Sequence, residues 1–350
     1  MDLRSCDEEE LKKISVSLGE KAFRGKQLFE WIHGKRVRTF EEMTNLSAAF
    51  RSKLKEEYEI SDITIVEKQV SRKKDTAKYL FALPDGNFIE SVWMKYHHGN
   101  SVCISSQVGC RMGCTFCAST LTGLTRSLTA GEMLSQIYEI QRETGERVSN
   151  VIVMGMGEPL DNYDALIKFI RLVSHEKGIC ISQRNITVST CGLVEGIDRL
   201  SKEHFQITLA ISLHAPNDEI RRKTMPVANR YTIEQIFHAC ESYFHKTGRR
   251  ISFEYSMIRG VNDREKDAFE LAERCKKLLE NGVQCHVNLI PLNEVKERNC
   301  ARSKDTDVTS FKLTLEKCGI NVTIRREMGS DIDAACGQLR KRFLDEEVRQ

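Results

Sequence analysis

The stretch Cys110-Arg-Met-Gly-Cys114-Thr-Phe-Cys117 carries three thiols within eight residues and follows a strand-like run from Val102 to Ser106. Thiolates at this spacing can converge on one metal centre. Gly109 and Gly113 let the backbone turn around a bulky ligand without Cβ clashes. Three ligands suit a four-iron cluster that keeps one iron open, whereas a structural zinc ion takes four protein ligands. A zinc knuckle and three unrelated buried cysteines remain open as alternatives.

Charge and composition exclude some classes of protein. The chain has 350 residues, with 53 Lys and Arg against 50 Asp and Glu, so its net charge is only +3. Any nucleic-acid contact must therefore come from local patches. The length allows one large domain with an appendage or two ordinary domains. Thirteen cysteines without an apolar signal segment or an apolar run of about 18 residues predict a cytoplasmic protein with reduced thiols and no membrane partner.

Residues 1–60 have apolar positions at helical spacing, which predicts a small helical module. A basic stretch inside it, from Lys21 to Arg38, contains six Lys or Arg against the single Glu30. Aromatic residues are interleaved with these charges at Phe23, Phe29, Trp31 and His33. Such a patch could bind phosphates and stacked bases, and the alternative is an ordinary solvated helix face.

Residues 61–95 change to period-two alternation, which predicts a short antiparallel β extension. Pro84-Asp85-Gly86-Asn87 supplies a hairpin turn within it. Glu90 interrupts an apolar strand in this segment, either because it points outward from the pleat or because its carboxylate is aimed at a site. By itself the alternation favours the outward position.

Beyond the cysteine loop, strand and helix patterns alternate, which predicts an α/β fold with a parallel sheet and right-handed crossovers. The predicted strands are 150–154, 185–189, 207–213, 251–257, 285–289 and 322–325, and the predicted helices are 129–143, 162–175, 193–203, 232–246, 264–280 and 306–317. With the strand before Cys110 there are about seven strands. That number favours an incomplete (β/α) barrel over 96–335.

Unusual residues follow several of these strands, where such folds bind ligands. Gly155-Met-Gly157-Glu158-Pro159 follows one strand, and its glycines could expose backbone groups while Glu158 supplies a charged acceptor. It is no dinucleotide fingerprint, because Leu160 stands where the third glycine should be. Each residue taken alone has an ordinary structural explanation. The others are Ser189, Ser212, Leu213, His214 and Asn293, and, near the C-terminus, the thiol of Cys336 between carboxylates and small residues.

Four motifs together resemble the RlmN/Cfr family of radical S-adenosylmethionine (SAM) RNA methyltransferases. They are the cysteine loop, Gly155-Met-Gly-Glu-Pro-Leu160, Ser212-Leu-His214 and Asp331-Ile-Asp-Ala-Ala-Cys-Gly-Gln-Leu339. The resemblance extends over nearly the whole chain, because residues 23–31 and 40–46 are similar to the family's N-terminal accessory domain. Pro159 resembles the RlmN branch, since the Cfr branch tends to have Ala there.

The resemblance implies a role for each matched residue. Cys110, Cys114 and Cys117 would hold one [4Fe-4S] cluster, and Cys336, which opens a tail over 336–350, would carry a methyl group as S-methylcysteine. Cys103 would resolve the enzyme–RNA adduct through a transient disulfide with Cys336, and Glu90 would accept a proton. The SAM contacts would come from Gly157, Glu158, Ser189, Ser212, Leu213, His214 and Asn293.

The implied reaction uses two SAM molecules to methylate carbon 2 of an adenosine in 23S rRNA, and also in tRNA. Its other implied partner is a reductant such as flavodoxin or ferredoxin. Carbon 2 is electrophilic and has no acidic proton, so a radical tethered to sulfur suits it better than direct attack on the SAM methyl group. Three alternatives remain: methylation at carbon 8, a radical SAM enzyme acting on a non-RNA substrate, and a non-enzymatic iron–sulfur or zinc scaffold.

Overall fold

The computed structural model describes residues 1–295, 297–326, 328–329, 331–332 and 337–347. The chain begins with helices α1 (Glu8–Ser17), α2 (Phe23–Phe29) and α3 (Ala48–Glu57). Asp7 caps helix α1: its carboxylate accepts from the Glu10 amide, while the Glu10 carboxylate accepts from the Asp7 amide. This reciprocal pair satisfies amides that have no partner within the helix.

A β extension follows the helices, with strands β1 (Thr64–Val70), β2 (Thr76–Ala82), β3 (Phe88–Tyr96) and β4 (Gly99–Cys103) paired antiparallel in sequence order. The predicted hairpin is confirmed, because the Leu83 amide donates to the Asn87 carbonyl across the turn. The strand expected from Val102 to Ser106 lies earlier and ends at Cys103. The outward position favoured for Glu90 is wrong, because Glu90 is buried on β3.

Two short strands frame the cysteine loop, β5 (Gln107–Gly109) and β6 (Leu124–Ser127), and neither was predicted. The short helix over 218–224 and the helix over 338–347 were also missed. The alternation that follows is confirmed, with bounds within two residues at most ends. Its elements are α4 (Ala130–Thr144), β7 (Val148–Val153), α5 (Tyr163–Val173), β8 (Ile186–Thr190), α6 (Val194–Ser201), β9 (Thr208–Ser212), α7 (Asp218–Thr224), α8 (Ile233–Thr247), β10 (Ile251–Met257), α9 (Glu265–Glu280), β11 (Cys285–Pro291), α10 (Asp305–Lys317), β12 (Val322–Ile324) and α11 (Gln338–Glu347).

Ten of the twelve described strands form one sheet in the order β1-β2-β3-β4-β7-β8-β9-β10-β11-β12, and β5 and β6 form a separate pair. From β4 to β12, each of the seven strands pairs parallel with its neighbour. Among the described residues β1 and β12 are the two edges of this sheet, so the barrel is open. The prediction of an incomplete (β/α) barrel with an antiparallel extension is confirmed.

Burial on both faces explains the apolar strands of the barrel. All seven residues of β10 are buried, as expected when one face meets the barrel interior and the other meets helices. The outer layer includes α4, α5 and α8, which bury apolar positions at helical spacing against the sheet. None of the helices described here is long and apolar enough to cross a membrane.

The N-terminal helices are joined to α4 through buried polar groups. His33 is fully buried, with Nδ1 3.0 Å from the Tyr138 hydroxyl and Nε2 3.1 Å from the Cys6 carbonyl. Burial lowers the pKa of His33 to about 3, so the ring is neutral. Phe29 is also fully buried. The prediction that Phe29 and His33 belong to a nucleic-acid surface is therefore wrong for these two residues.

A close backbone approach joins β4 to the loop after β7 and gives the first testable prediction. The Gly155 amide donates to the Ile104 carbonyl at 2.9 Å, and a Cβ on Gly155 would lie 2.6 Å from that oxygen. Gly155→Ala should therefore lower the free energy of unfolding by about 1–3 kcal/mol, measured by urea denaturation. Gly178→Ala is the control, because its nearest neighbours would lie at 3.4 Å. Equal stabilities of the two variants would contradict the predicted clash.

Candidate active site

The cysteine loop is closed at its base by the β5–β6 hairpin. The Cys110 amide donates to the Gly123 carbonyl at 2.9 Å. Gly109 has φ +77°, and a Cβ there would lie 1.9 Å from the same carbonyl oxygen. Only glycine fits both this conformation and this contact. The start of the cysteine loop is therefore fixed against the β5–β6 hairpin.

Further along, the loop is folded onto itself. The Cys117 amide donates to the Cys114 carbonyl at 3.2 Å, and the Thr120 hydroxyl lies 3.0 Å from the Cys114 carbonyl and 2.9 Å from the Cys117 carbonyl. The side chains of Cys110, Cys114 and Cys117 line one cavity of about 140 Å³. The structure thus brings the three predicted thiols together.

Burial favours the protonated form of two of these thiols. Burial raises the pKa of Cys110 to about 12 and also raises that of Cys114, with the charge of Cys117 adding to both shifts. Iron binding would have to deprotonate them. Within the part of the chain that is described, no three His, Cys, Asp or Glu side chains converge closely enough to hold a single metal ion. A four-iron cluster takes each thiolate on a different iron, so the three thiols fit it better than they fit zinc.

The predicted Gly157-Glu158 pair lines the same cavity. Glu158 is buried, and its two oxygens accept from the amides of Cys191 at 2.7 Å and Leu160 at 3.1 Å. Burial raises the pKa of Glu158, while these amide donors act in the opposite direction. The Glu158 carboxylate therefore holds the backbone at Leu160 and Cys191, in addition to lining the cavity.

The ends of β8 and β9 supply the next predicted residues. Ser189 and Ser212 have hydroxyl oxygens 3.2 Å apart, because their parallel strands are neighbours in the sheet. Both side chains line the 140 Å³ cavity. Leu213 differs, because it is fully buried in the hydrophobic core. Any contact of Leu213 with a ligand would have to come from its backbone.

His214 is held in one tautomer by the backbone. Its Nδ1 accepts a hydrogen bond from the Ser256 amide at 2.9 Å, and burial lowers its pKa to about 3. The neutral ring therefore carries its hydrogen on Nε2. Its φ of +54° is supported by Asn262, whose amide nitrogen donates to the His214 carbonyl at 2.8 Å. The edge of the Phe116 ring meets the imidazole, with ring centroids 5.1 Å apart.

A second cavity of about 310 Å³ adjoins the first and shares Cys117 and His214 with it. Cys103, at the end of β4, and Asn293, after β11, line this larger cavity. Two predicted residues from distant parts of the sequence are thus brought to the same space. The predicted methyl carrier Cys336 lies outside the described residues. No disulfide bond joins the described cysteines. The predicted transient disulfide between Cys103 and Cys336 involves a residue outside them and stays a prediction.

Glu90 lies close to this space, on β3. It is two residues from Val92, which lines the larger cavity and pairs with Cys103 across β3 and β4. Its carboxylate is buried and lies 2.9 Å from the Lys78 ammonium. Sequence reasoning gave no role to Lys78, because the ion pair joins two neighbouring strands.

Arg221 is a second functional candidate that the sequence did not indicate. It is fully buried on α7, and its guanidinium donates to the carbonyls of Cys191 at 2.5 Å, Leu213 at 3.2 Å and Ser212 at 3.5 Å. Its positive charge acts on Cys114. Arg221 therefore ties together two strand ends beside the thiols. Its helix was itself not predicted, so no sequence signal pointed to it.

Part of the predicted basic patch is exposed, with cations beside aromatic rings. Phe23 is 51% exposed, and the Arg24 guanidinium lies 5.0 Å from the centre of its ring. The Lys35 ammonium lies 3.4 Å from the centre of the Trp31 ring, and both Lys26 and Lys35 are exposed. Stacked cation–aromatic pairs on a surface are suitable for bases and phosphates.

Two family models match the chain. The model of the radical SAM superfamily matches residues 104–272, and the model of the ribosomal RNA large subunit methyltransferase N-terminal domain matches residues 1–60. A relative from Lachnoclostridium phytofermentans, described as a probable dual-specificity RNA methyltransferase RlmN, is 58% identical over 100% of this chain and 97% of its own length. One from Clostridium novyi with the same description is 53% identical over 96% of each chain.

A solved structure agrees with these matches. The crystal structure of a radical SAM methyltransferase from Sphaerobacter thermophilus superposes with a TM-score of 0.90 and 42% sequence identity, covering 97% of this chain and 98% of that one. Family matches, relatives and fold agree over nearly the full length. The chain belongs to the RlmN family of radical SAM RNA methyltransferases.

Proposed function

We propose that this enzyme methylates carbon 2 of an adenosine in 23S rRNA and in tRNA. The observation that carries the proposal is the position of Cys103, which faces a cavity adjoining that of the three-thiol loop. The relatives are described as dual-specificity RNA methyltransferases, and residues 1–60 match a domain of large-subunit rRNA methyltransferases. Pro159 favours the carbon 2 branch over the carbon 8 branch.

The cofactors would occupy the two cavities. Cys110, Cys114 and Cys117 would hold one [4Fe-4S] cluster, which with bound SAM supplies a 5′-deoxyadenosyl radical. Gly157, Glu158 and the backbone of Leu213 would contact SAM on the cluster side. His214 would donate from Nε2, since its Nδ1 is already occupied. The remaining contacts would come from Ser189, Ser212 and Asn293.

Three residues would handle the methyl group and the proton. Cys336 would receive a methyl group from a first SAM, and a second SAM would be used to activate that S-methyl group for addition to the adenine ring. Glu90 would then accept the proton from carbon 2, and one electron would leave the adduct, so that the ring becomes aromatic again. Cys103 would attack the sulfur of Cys336, so that a disulfide forms and the bond from that sulfur to the transferred carbon breaks. The electron pair of that bond would stay on the transferred carbon, which takes up a proton to become the methyl group of the released RNA.

Two macromolecular partners follow from this reaction. The RNA would contact the accessory helices through Lys26, Lys35 and the half-exposed Trp31, and the target adenosine would have to leave its stack to reach the cavity. A reductant such as flavodoxin or ferredoxin would supply the electrons.

Isotopic labelling distinguishes carbon 2 from carbon 8. We expect that anaerobic turnover on a 23S rRNA fragment made with adenosine deuterated at carbon 2 will give a methylated nucleoside whose ring carbon 2 no longer carries deuterium. A fragment deuterated at carbon 8 should keep its label on the ring. Nuclear magnetic resonance of the purified nucleoside reads both ring positions, and it also detects any deuteron that Glu90 returns to the methyl group. Loss of the carbon 8 label instead would assign the Cfr-like reaction and contradict the proposal.

The resolving role of Cys103 predicts a trapped intermediate. In Cys103→Ala, addition to RNA should still occur. No thiol is then present to attack the sulfur of Cys336, so the RNA stays attached to the protein. Denaturing electrophoresis after anaerobic turnover should show a shifted, nuclease-sensitive band. The band should be absent in Cys103→Ala/Cys336→Ala. Multiple turnovers by Cys103→Ala without an adduct would contradict the resolving role of Cys103.

The basic patch predicts a change in salt dependence. Lys26→Ala and Lys35→Ala should each lower the slope of log binding constant against log salt concentration by about one, because each removes one phosphate contact. Filter binding at several salt concentrations measures this slope. Lys276→Ala, on the exposed side of α9, is the matched control. If all three variants keep the parent slope, the patch is an ordinary solvated helix face.

A further inference from the structure

Lys78 is a buried cation for which the reaction above has no role. It lies on β2 with no exposed surface, and its ammonium is 2.9 Å from the Glu90 carboxylate on β3. Removing a lysine and a glutamate from water is costly, and an ion pair offsets this cost only when its geometry is good and further hydrogen bonds satisfy the remaining groups. The other contacts of the pair therefore indicate what it holds in place.

The other side of the Glu90 carboxylate contacts the C-terminal helix. One oxygen accepts from the Gly337 amide and the other from the Arg340 amide, both at 2.6 Å. Amides in the first turn of a helix have no partner within the helix, and the helix dipole makes that end positive. Glu90 thus acts as the cap of α11 from a strand that lies 247 residues earlier than Gly337.

Gly337 is also held from the opposite side. Its φ is +84°, and a Cβ there would lie 2.5 Å from the Ser119 amide nitrogen and 2.8 Å from the Ala118 carbonyl carbon. Ala118 and Ser119 directly follow Cys117 of the cysteine loop. Gly337, the residue that follows Cys336 in the sequence, is therefore fixed between the Glu90 carboxylate and the cysteine loop.

We propose that Lys78 is a positioning residue that holds the Glu90 carboxylate against the start of α11, and so holds Gly337, next to Cys336 in the sequence, beside the cysteine loop. The inference rests on the proposed roles of Glu90 and Cys336, and it adds Lys78 to them. Among the described residues, the charged groups that act on the carboxylate are Lys78 on β2 and Arg340 on α11, together with the positive end of α11 itself. Of these, Lys78 lies outside the C-terminal helix.

This arrangement also connects proton transfer to the position of the helix start. A carboxylate that has accepted a proton no longer carries the charge that attracts the ammonium and the helix end. Its hold on Gly337 and Arg340 therefore weakens when Glu90 is protonated. The ammonium of Lys78 stays on β2 and attracts the carboxylate again once the proton has left, which restores the hold before the next turnover.

The test compares Lys78→Met with Lys95→Met. Lys95 forms an ion pair with Glu146 at 2.7 Å, but it is exposed on β3. In cluster-loaded protein we expect hydrogen exchange of the amides in 337–340 to speed up at least tenfold in Lys78→Met and to stay at the parent rate in Lys95→Met. RNA methylation by Lys78→Met should fall at least tenfold in kcat, with an unchanged KM for SAM.

Parent-like exchange in Lys78→Met would overturn the proposal. If RNA is not a substrate of the parent enzyme, the proposed function fails, but the exchange measurement still tests Lys78. Should Lys78→Met not fold, Lys78→Gln keeps a hydrogen-bond donor at this position without the charge and leaves Glu90 unchanged. That variant should keep parent-like exchange in β7 to β11 and show faster exchange in 337–340. Slow exchange in 337–340 of Lys78→Gln would equally contradict the positioning role.

Discussion

The parallel alignment of seven strands is the constraint on which both cavities depend. In parallel pairing, neighbouring strands end at the same edge of the sheet, so residues far apart in sequence are brought together there. Cys103, Ser189, Ser212 and Asn293 each lie at or just after the end of a different strand and line the same space. A shift of one strand would move a single member of the set away from the others. The contact between Gly155 and Ile104 fixes that alignment at β4 and β7.

Charged side chains complete the hydrogen bonding where the strands end. Backbone groups beyond a strand end lose their ladder partners, and buried ones must find others. Glu158 accepts from the amide of Cys191, directly after β8, and also from that of Leu160. Arg221 donates to the carbonyls of Cys191, Ser212 and Leu213 at the ends of β8 and β9. The same two side chains place a negative and a positive charge beside the thiols. The groups that build the cavity wall thus also set its electrostatics.

The sequence predicted those features that depend on local pattern. The cysteine loop, the alternation and the strand-end residues were all visible in spacing and periodicity. The burial of His33 and Phe29 was not, because it depends on the docking of the first helices against α4. The outward prediction for Glu90 is wrong because its two partners, Lys78 and the start of α11, belong to other elements of the fold. Arg221 belongs to a helix too short to give a periodic signal.

The position of Glu90 explains why the β extension is attached to the barrel. Strand β3 belongs to the extension, yet the Glu90 carboxylate on this strand caps α11, which lies near the C-terminus. Strand β3 also pairs with β4, which carries Cys103. A single strand therefore fixes the start of the C-terminal helix relative to the thiol that would resolve the adduct. The extension thus holds the start of α11 and Cys103 in a fixed relative position.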